Sequence, residues 1–231
     1  MLALLGASPA LASAGEASVS LRPSFSPDRL GAATTFTLGF HFSGGGESVP
    51  PPLHTVVVQL PIGLHFQLGG LAVCQPARLR RSGPSGCPAS SLVGRGHALL
   101  QVHAGTEPID EEASLWVERG PEHEGLPSFG IFGQGYTPLY ESAVSSELLQ
   151  TAKPPYGYRT VTSVPPIPTV MYEPNASFVS LSLSFGSVKH HGGAGTFFTP
   201  RSCPAGGFPF AAQVTFANGE GASTTATVPC P

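Results

Sequence analysis

Phe208-Pro209-Phe210-Ala211-Ala212-Gln213-Val214-Thr215-Phe216, then Ala217-Asn218-Gly219-Glu220-Gly221, then Ala222-Ser223-Thr224-Thr225-Ala226-Thr227-Val228, is the stretch whose reading decides the fold. Phe208, Phe210, Val214 and Phe216 recur with a period of two, which sets them on one face of a strand. Asn218-Gly219 predicts a tight hairpin turn, because such turns need positive φ and Asn-Gly supplies it. Cys203 and Cys230 lie just outside the two strands, where a disulfide would close the open end of the hairpin.

The same period repeats upstream. Phe36, Leu38, Phe40 and Phe42 alternate through Thr35 to Phe42. Phe178 to Phe185 alternates serine against apolar residues, one dry face and one wet face. Ser18 to Leu21 reads as a short first strand ended by Pro23 and Pro27, and His54 to Leu60 as a strand stopped by Pro61. Leu92 to Val102 is a strand with a glycine bulge near its start. Ala113 to Glu118, Phe129 to Gln134, Leu139 to Thr151 and Tyr158 to Ser163 follow. Pro76 to Arg81 predicts a single helical turn with proline at its start. About ten short strands with no helix of useful length predict one all-β domain, an antiparallel β-sandwich of immunoglobulin-like or jelly-roll-like type, alternatively a β-barrel. No fixed-period repeat points to a propeller or solenoid.

Composition narrows the function. The 231 residues are 41% hydrophobic, enough for a large core, and only 11% charged, against about 25% in an ordinary soluble domain. Ser, Thr, Gly and Gln must therefore cover the surface. The net charge of −3 and the absence of a basic stripe argue against nucleic acid as a partner. Met1 to Ala14 holds an apolar run and overlapping A-x-A sites at Ala10 to Ala14, the pattern of a secretory signal peptide, leaving residues 15–231 as the single domain. Cleavage is expected after Ala12 or Ala14; N-terminal sequencing of secreted material that still began at Met1 would refute it. No later apolar run reaches the roughly 20 residues of a transmembrane helix.

Four cysteines allow three pairings. An exported chain favours disulfides. The local pairing, Cys74 with Cys87 and Cys203 with Cys230, is the one expected; the spacings do not supply the C-x-x-C pairs of a zinc site.

Candidate chemistry is sparse. No G-x-S-x-G elbow marks a hydrolase serine. Glu122-His123-Glu124 and Lys189-His190-His191 are the only tight clusters of metal-ligand type, and both read as solvated turns, so neither metal nor cofactor is expected. Glycoside hydrolysis would need two facing carboxylates; Glu118 and Glu173 lie near strands without a visible partner. Tyr136, Tyr140, Tyr156 and Tyr158, with Tyr172 and Trp116, offer rings that could stack on a sugar or a partner surface.

Three patches together carry a resemblance: Leu60-Pro61-Ile62-Gly63-Leu64 leading to Cys74 and Cys87-Pro88 with Val93-Gly94-Arg95-Gly96; Ser180-Leu181-Ser182-Leu183; and Cys203-Pro204-Ala205-Gly206-Gly207 to Cys230. The chain resembles uncharacterised exported β-sandwich proteins of soil actinobacteria that carry LP-x-GL, paired cysteines and a closing CPAGG…VPC hairpin. The likeness spans roughly Leu53 to Cys230 and implies no site residues, because that family carries no established activity. The expectation is a secreted or cell-envelope bacterial protein that binds or builds rather than catalyses, with a cell-wall glycan or an envelope protein as partner. The alternative is a carbohydrate-active or other hydrolytic extracellular domain.

Overall fold

A computed structural model describes residues 16–44, 49–103, 107–136, 141–169, 174–190, 193–196 and 198–231. The signal-peptide segment, Tyr140, Tyr172, Glu173 and His191 lie outside the described residues.

The fold is all-β and antiparallel. Its strands are β1 (Ser18–Ser26), β2 (Thr35–Ser43), β3 (Leu53–Pro61), β4 (Leu64–Phe66), β5 (Leu92–His103), β6 (Pro108–Arg119), β7 (Ser128–Gly135), β8 (Glu141–Thr151), β9 (Tyr156–Ser163), β10 (Ser177–Phe185), β11 (Ser187–His190), β12 (Gly193–Thr196), β13 (Phe198–Pro200), β14 (Phe208–Phe216) and β15 (Gly221–Val228). Eleven of them form one sheet in the order β1-β2-β10-β5-β6-β7-β8-β9-β3-β14-β15. β5 to β9 is a simple meander. β10 is inserted between β2 and β5, and β3 between β9 and β14. The sheet curls until β1 lies beside β15, nearly closing into a barrel. No ladder joins those two edges.

Alternation dictates which side chains turn inward. Phe36, Leu38, Phe40 and Phe42 on β2 are all buried, as are Phe208, Phe210, Val214 and Phe216 on β14. Packing at the unjoined seam is aromatic. Phe36 of β2 stacks on Phe210 of β14 with ring centroids 5.5 Å apart, and Phe25 of β1 meets Phe208 edge-on at 5.1 Å. Side chains thus hold together two edges that hydrogen bonds do not.

The two ends of the barrel differ. At one end, β13 pairs with β4, and Pro61, Leu64 and Pro200 are buried beneath the loops. Both disulfides staple this end: Cys74–Cys87 with Cα atoms 5.2 Å apart and Cys203–Cys230 with 5.9 Å, the local pairing expected from spacing. The short helix α1 (Pro76–Ser82) lies between the first two cysteines and buries Leu79. The opposite end carries the β2–β3, β5–β6, β7–β8 and β9–β10 connections.

Two local expectations are corrected. β1 continues through Pro23 to Ser26 rather than ending there. An edge strand pairs on one side only, so a missing N–H is tolerated. The closing turn is not the two-residue form. Gly219 has φ 89° while Asn218 keeps negative φ, the Gly219 N–H donates to the Phe216 carbonyl, and the Glu220 N–H donates to Asn218 Oδ1. This is a type I turn followed by a left-handed glycine, in which only the glycine needs positive φ.

Candidate functional site

The inner wall of the barrel is uneven. The β1, β2 and β14 side is filled by phenylalanines. The β6 to β9 side turns small or polar residues inward: Gly133 and Gly135 on β7, Ala143 and Ser145 on β8, Thr160 and Thr162 on β9. Where the large residues face the small ones, near the end without disulfides, a cavity of about 90 Å³ remains. Leu38, Phe40, Leu100, Leu181 and Leu183 form its apolar wall, and Val164 and Ile167 of the β9–β10 connection lie over it.

Two carboxylates line this cavity. Glu147 follows the inward register of Leu149, two residues on, and is 7% exposed. Thr162 of the neighbouring strand donates its hydroxyl to Glu147 Oε2 at 3.1 Å. Burial raises the Glu147 carboxyl to about 7, against the opposing effect of the Thr162 hydrogen bond. Glu111 on β6 is 3% exposed and packs over Gly135, where an added Cβ would collide with its carboxylate. Glu111 comes from a strand whose other buried inward residues, Ala113, Leu115 and Val117, are apolar, and Glu147 shares its inner face with Ala143, Ser145 and Leu149. An apolar cavity with a few convergent polar groups, at the mouth of a barrel, is the usual architecture of a small-molecule site.

Glu118 is a different case. It is buried on the outer face of β6, where Ser91 donates to its Oε2 at 2.7 Å. Burial raises its pKa, opposed by the Ser91 hydrogen bond and by Arg95. Its partner is therefore a serine, and among the described residues no second acid is paired with it. This arrangement anchors the loop before β5 to the barrel.

Among the described residues, the tyrosines do not gather. Tyr136, 57% exposed, follows β7 at the open end and donates its hydroxyl to Gln134 Oε1 at 2.8 Å. Tyr156 and Tyr158 begin β9, beside Thr151 at the stapled end, the full length of β8 away. Tyr158 is half-buried, its ring edge-on to Phe66 at 5.2 Å. Trp116 packs edge-on against Phe132 under α1. Glu122-His123-Glu124 forms an exposed turn in which Arg119 meets Glu122 at 3.3 Å. Among the described residues no group of three or more His, Cys, Asp or Glu is placed to hold a metal ion.

Sequence reasoning passed over Glu111 and Glu147. The signal was there for Glu147: once Leu149 is inward, period two turns Glu147 inward as well. Compared with protein-family models, curated proteins and solved structures, the chain matches none.

Proposed function

We propose that this protein is an extracellular, non-enzymatic binding module that takes the polar end of a small, partly apolar ligand into the open end of its barrel. The observation that carries this reading is the cavity in which Glu147, Thr162 and Glu111 converge inside an apolar wall. A carboxyl poised near neutrality offers both a donor and an acceptor. Export rests on the two disulfides, which fit an oxidising compartment, together with the N-terminal apolar run. No helix among the described residues is long and apolar enough to cross a membrane.

Size argues against hydrolysis inside the barrel. An apolar cavity of about 150 Å³ takes up benzene. At about 90 Å³ this one holds a group of a few heavy atoms, not a glycosidic bond with an acid on each side. The remainder of a longer ligand must extend through the mouth.

Titration with straight-chain alcohols and amines tests the reading, with heats and the amide shifts of Thr160 and Thr162 as readouts. Affinity is expected to rise about four-fold for each methylene that enters the cavity, the transfer free energy of one buried CH₂, and to level off once the chain passes the mouth. Ala143→Phe, which fills the cavity, is expected to abolish binding while the strand signature persists. Undiminished binding to that variant, or no binding of any member of the series to the parent, would leave the purely structural role in its place.

A further inference from the structure

We propose a second site on the outside of the barrel, a trough across β1, β2, β10 and β5 that binds an anionic oligosaccharide. These four neighbouring strands hold no Asp or Glu, although the whole chain is acidic by three charges. The ionisable groups in the trough are Arg22, His41 and His97, and all three are exposed. The acids lie one strand further on, at Asp110, Glu112 and Glu118 of β6. Charge is therefore sorted by strand.

Register fixes the shape. Arg22 stands opposite Gly39, Gly39 opposite Ser182, and Ser182 opposite His97. Gly39 and Ser182 thus form a low floor between two tall walls about 14 Å apart, three strand spacings. One row along, Ser20, His41 and Ser180 repeat the alternation of hydroxyl and cationic or imidazole groups. The trough, open to solvent along its length, spans about 430 Å³, within the range of ligand-sized sites. Among the described residues Arg22 makes no ion pair.

The chemistry selects the ligand. Backbone N–H groups of β2 and β10 are spent in ladders on both sides, so no nest of amides closes round a compact anion. Instead, single cationic or imidazole groups are spread over the width of the trough with hydroxyls between them. A ligand that carries carboxylates at intervals, with hydroxyl groups in the gaps, meets both. A chain of uronic acids has that pattern.

Calorimetry with tetragalacturonate, its neutral methyl ester and inorganic phosphate is the test. Tetragalacturonate is expected to bind, and the ester about ten-fold more weakly. Arg22→Gln is expected to cost a similar factor, the loss of one charge-assisted hydrogen bond. Gly39→Val raises the floor without touching a charge. A Cβ there would lie 3.4 Å from the nearest atom, the Arg22 carbonyl oxygen, an ordinary van der Waals contact. That variant is expected to abolish binding with an unchanged unfolding midpoint, whereas Ala143→Phe inside the barrel leaves binding intact. Equal affinity for the ester, full competition by equimolar phosphate, or wild-type binding by Gly39→Val would each overturn the proposal.

Discussion

Phe210→Ala is expected to lower the unfolding free energy by about 4 kcal/mol. Phe210 is 0% exposed. Its ring stacks on Phe36 at 5.5 Å and lies 6.1 Å from Phe25, so it joins β14 to β1 and β2 across the seam. Elsewhere in the barrel, a lost side chain leaves the ladder intact. Phe210 keeps the ladders of β14, but between β1 and β15 there is no ladder to fall back on. The loss is therefore expected in two readouts: a lower denaturant midpoint, and faster amide exchange along β1 than along β6 or β7. Phe210→Leu keeps most of the volume and is expected to cost less than half as much, so the comparison survives if the alanine variant fails to fold. An alanine variant within about 1 kcal/mol of the parent, with β1 protected, would show that the seam is held by something other than these rings.

The second large effect is a loss of stability as pH rises. The Glu147 carboxyl sits at about 7 in the folded protein and at the ordinary 4.5 when exposed. The folded state thus holds this proton more tightly than the unfolded chain does. Its stabilising contribution is fully present below pH 4.5 and is lost as pH climbs through 7. The change amounts to about 3 kcal/mol. Glu118 is raised as well and acts in the same direction, so the parent should slope more steeply than Glu147 alone dictates. Glu147→Gln removes the titration and keeps a group that can meet Thr162. At pH 8 this variant is expected to be about 3 kcal/mol more stable than the parent, and at pH 4.5 about equal to it. Urea unfolding at the two values decides the matter; parallel curves for parent and variant would refute it. Glu111 is the other acid of the cavity, and its substitution by Gln in the same background separates the two.

Much of this architecture is legible in the sequence. Period two in Thr35 to Phe42, Phe178 to Phe185 and Phe208 to Phe216 named the strands and their dry faces, because each run has one neighbouring layer to satisfy. The disulfides followed from spacing. Strand order did not, because β10 pairs with β2 and β5 across long stretches of chain that leave no local trace. The described tyrosines lie apart for a related reason. Tyr136 and Tyr158 are near in sequence, but one strand of eleven residues carries the chain from one end of the barrel to the other. The carboxylates were missed because polarity alone suggests the wet face. Only the register of Leu149 corrects that for Glu147.

The parity of the sheet has a consequence for capacity. A ring in which every neighbouring pair is antiparallel needs an even number of strands. With eleven, β1 and β15 run the same way where they meet. In a fully zipped barrel, strand number and stagger together fix the bore. This barrel has no such lock. Its closing line is held by apolar side chains, worth about 25 cal/mol for each Å² they cover, and by no ladder between β1 and β15. The cavity of about 90 Å³ is therefore set by how large side chains meet small ones across the barrel.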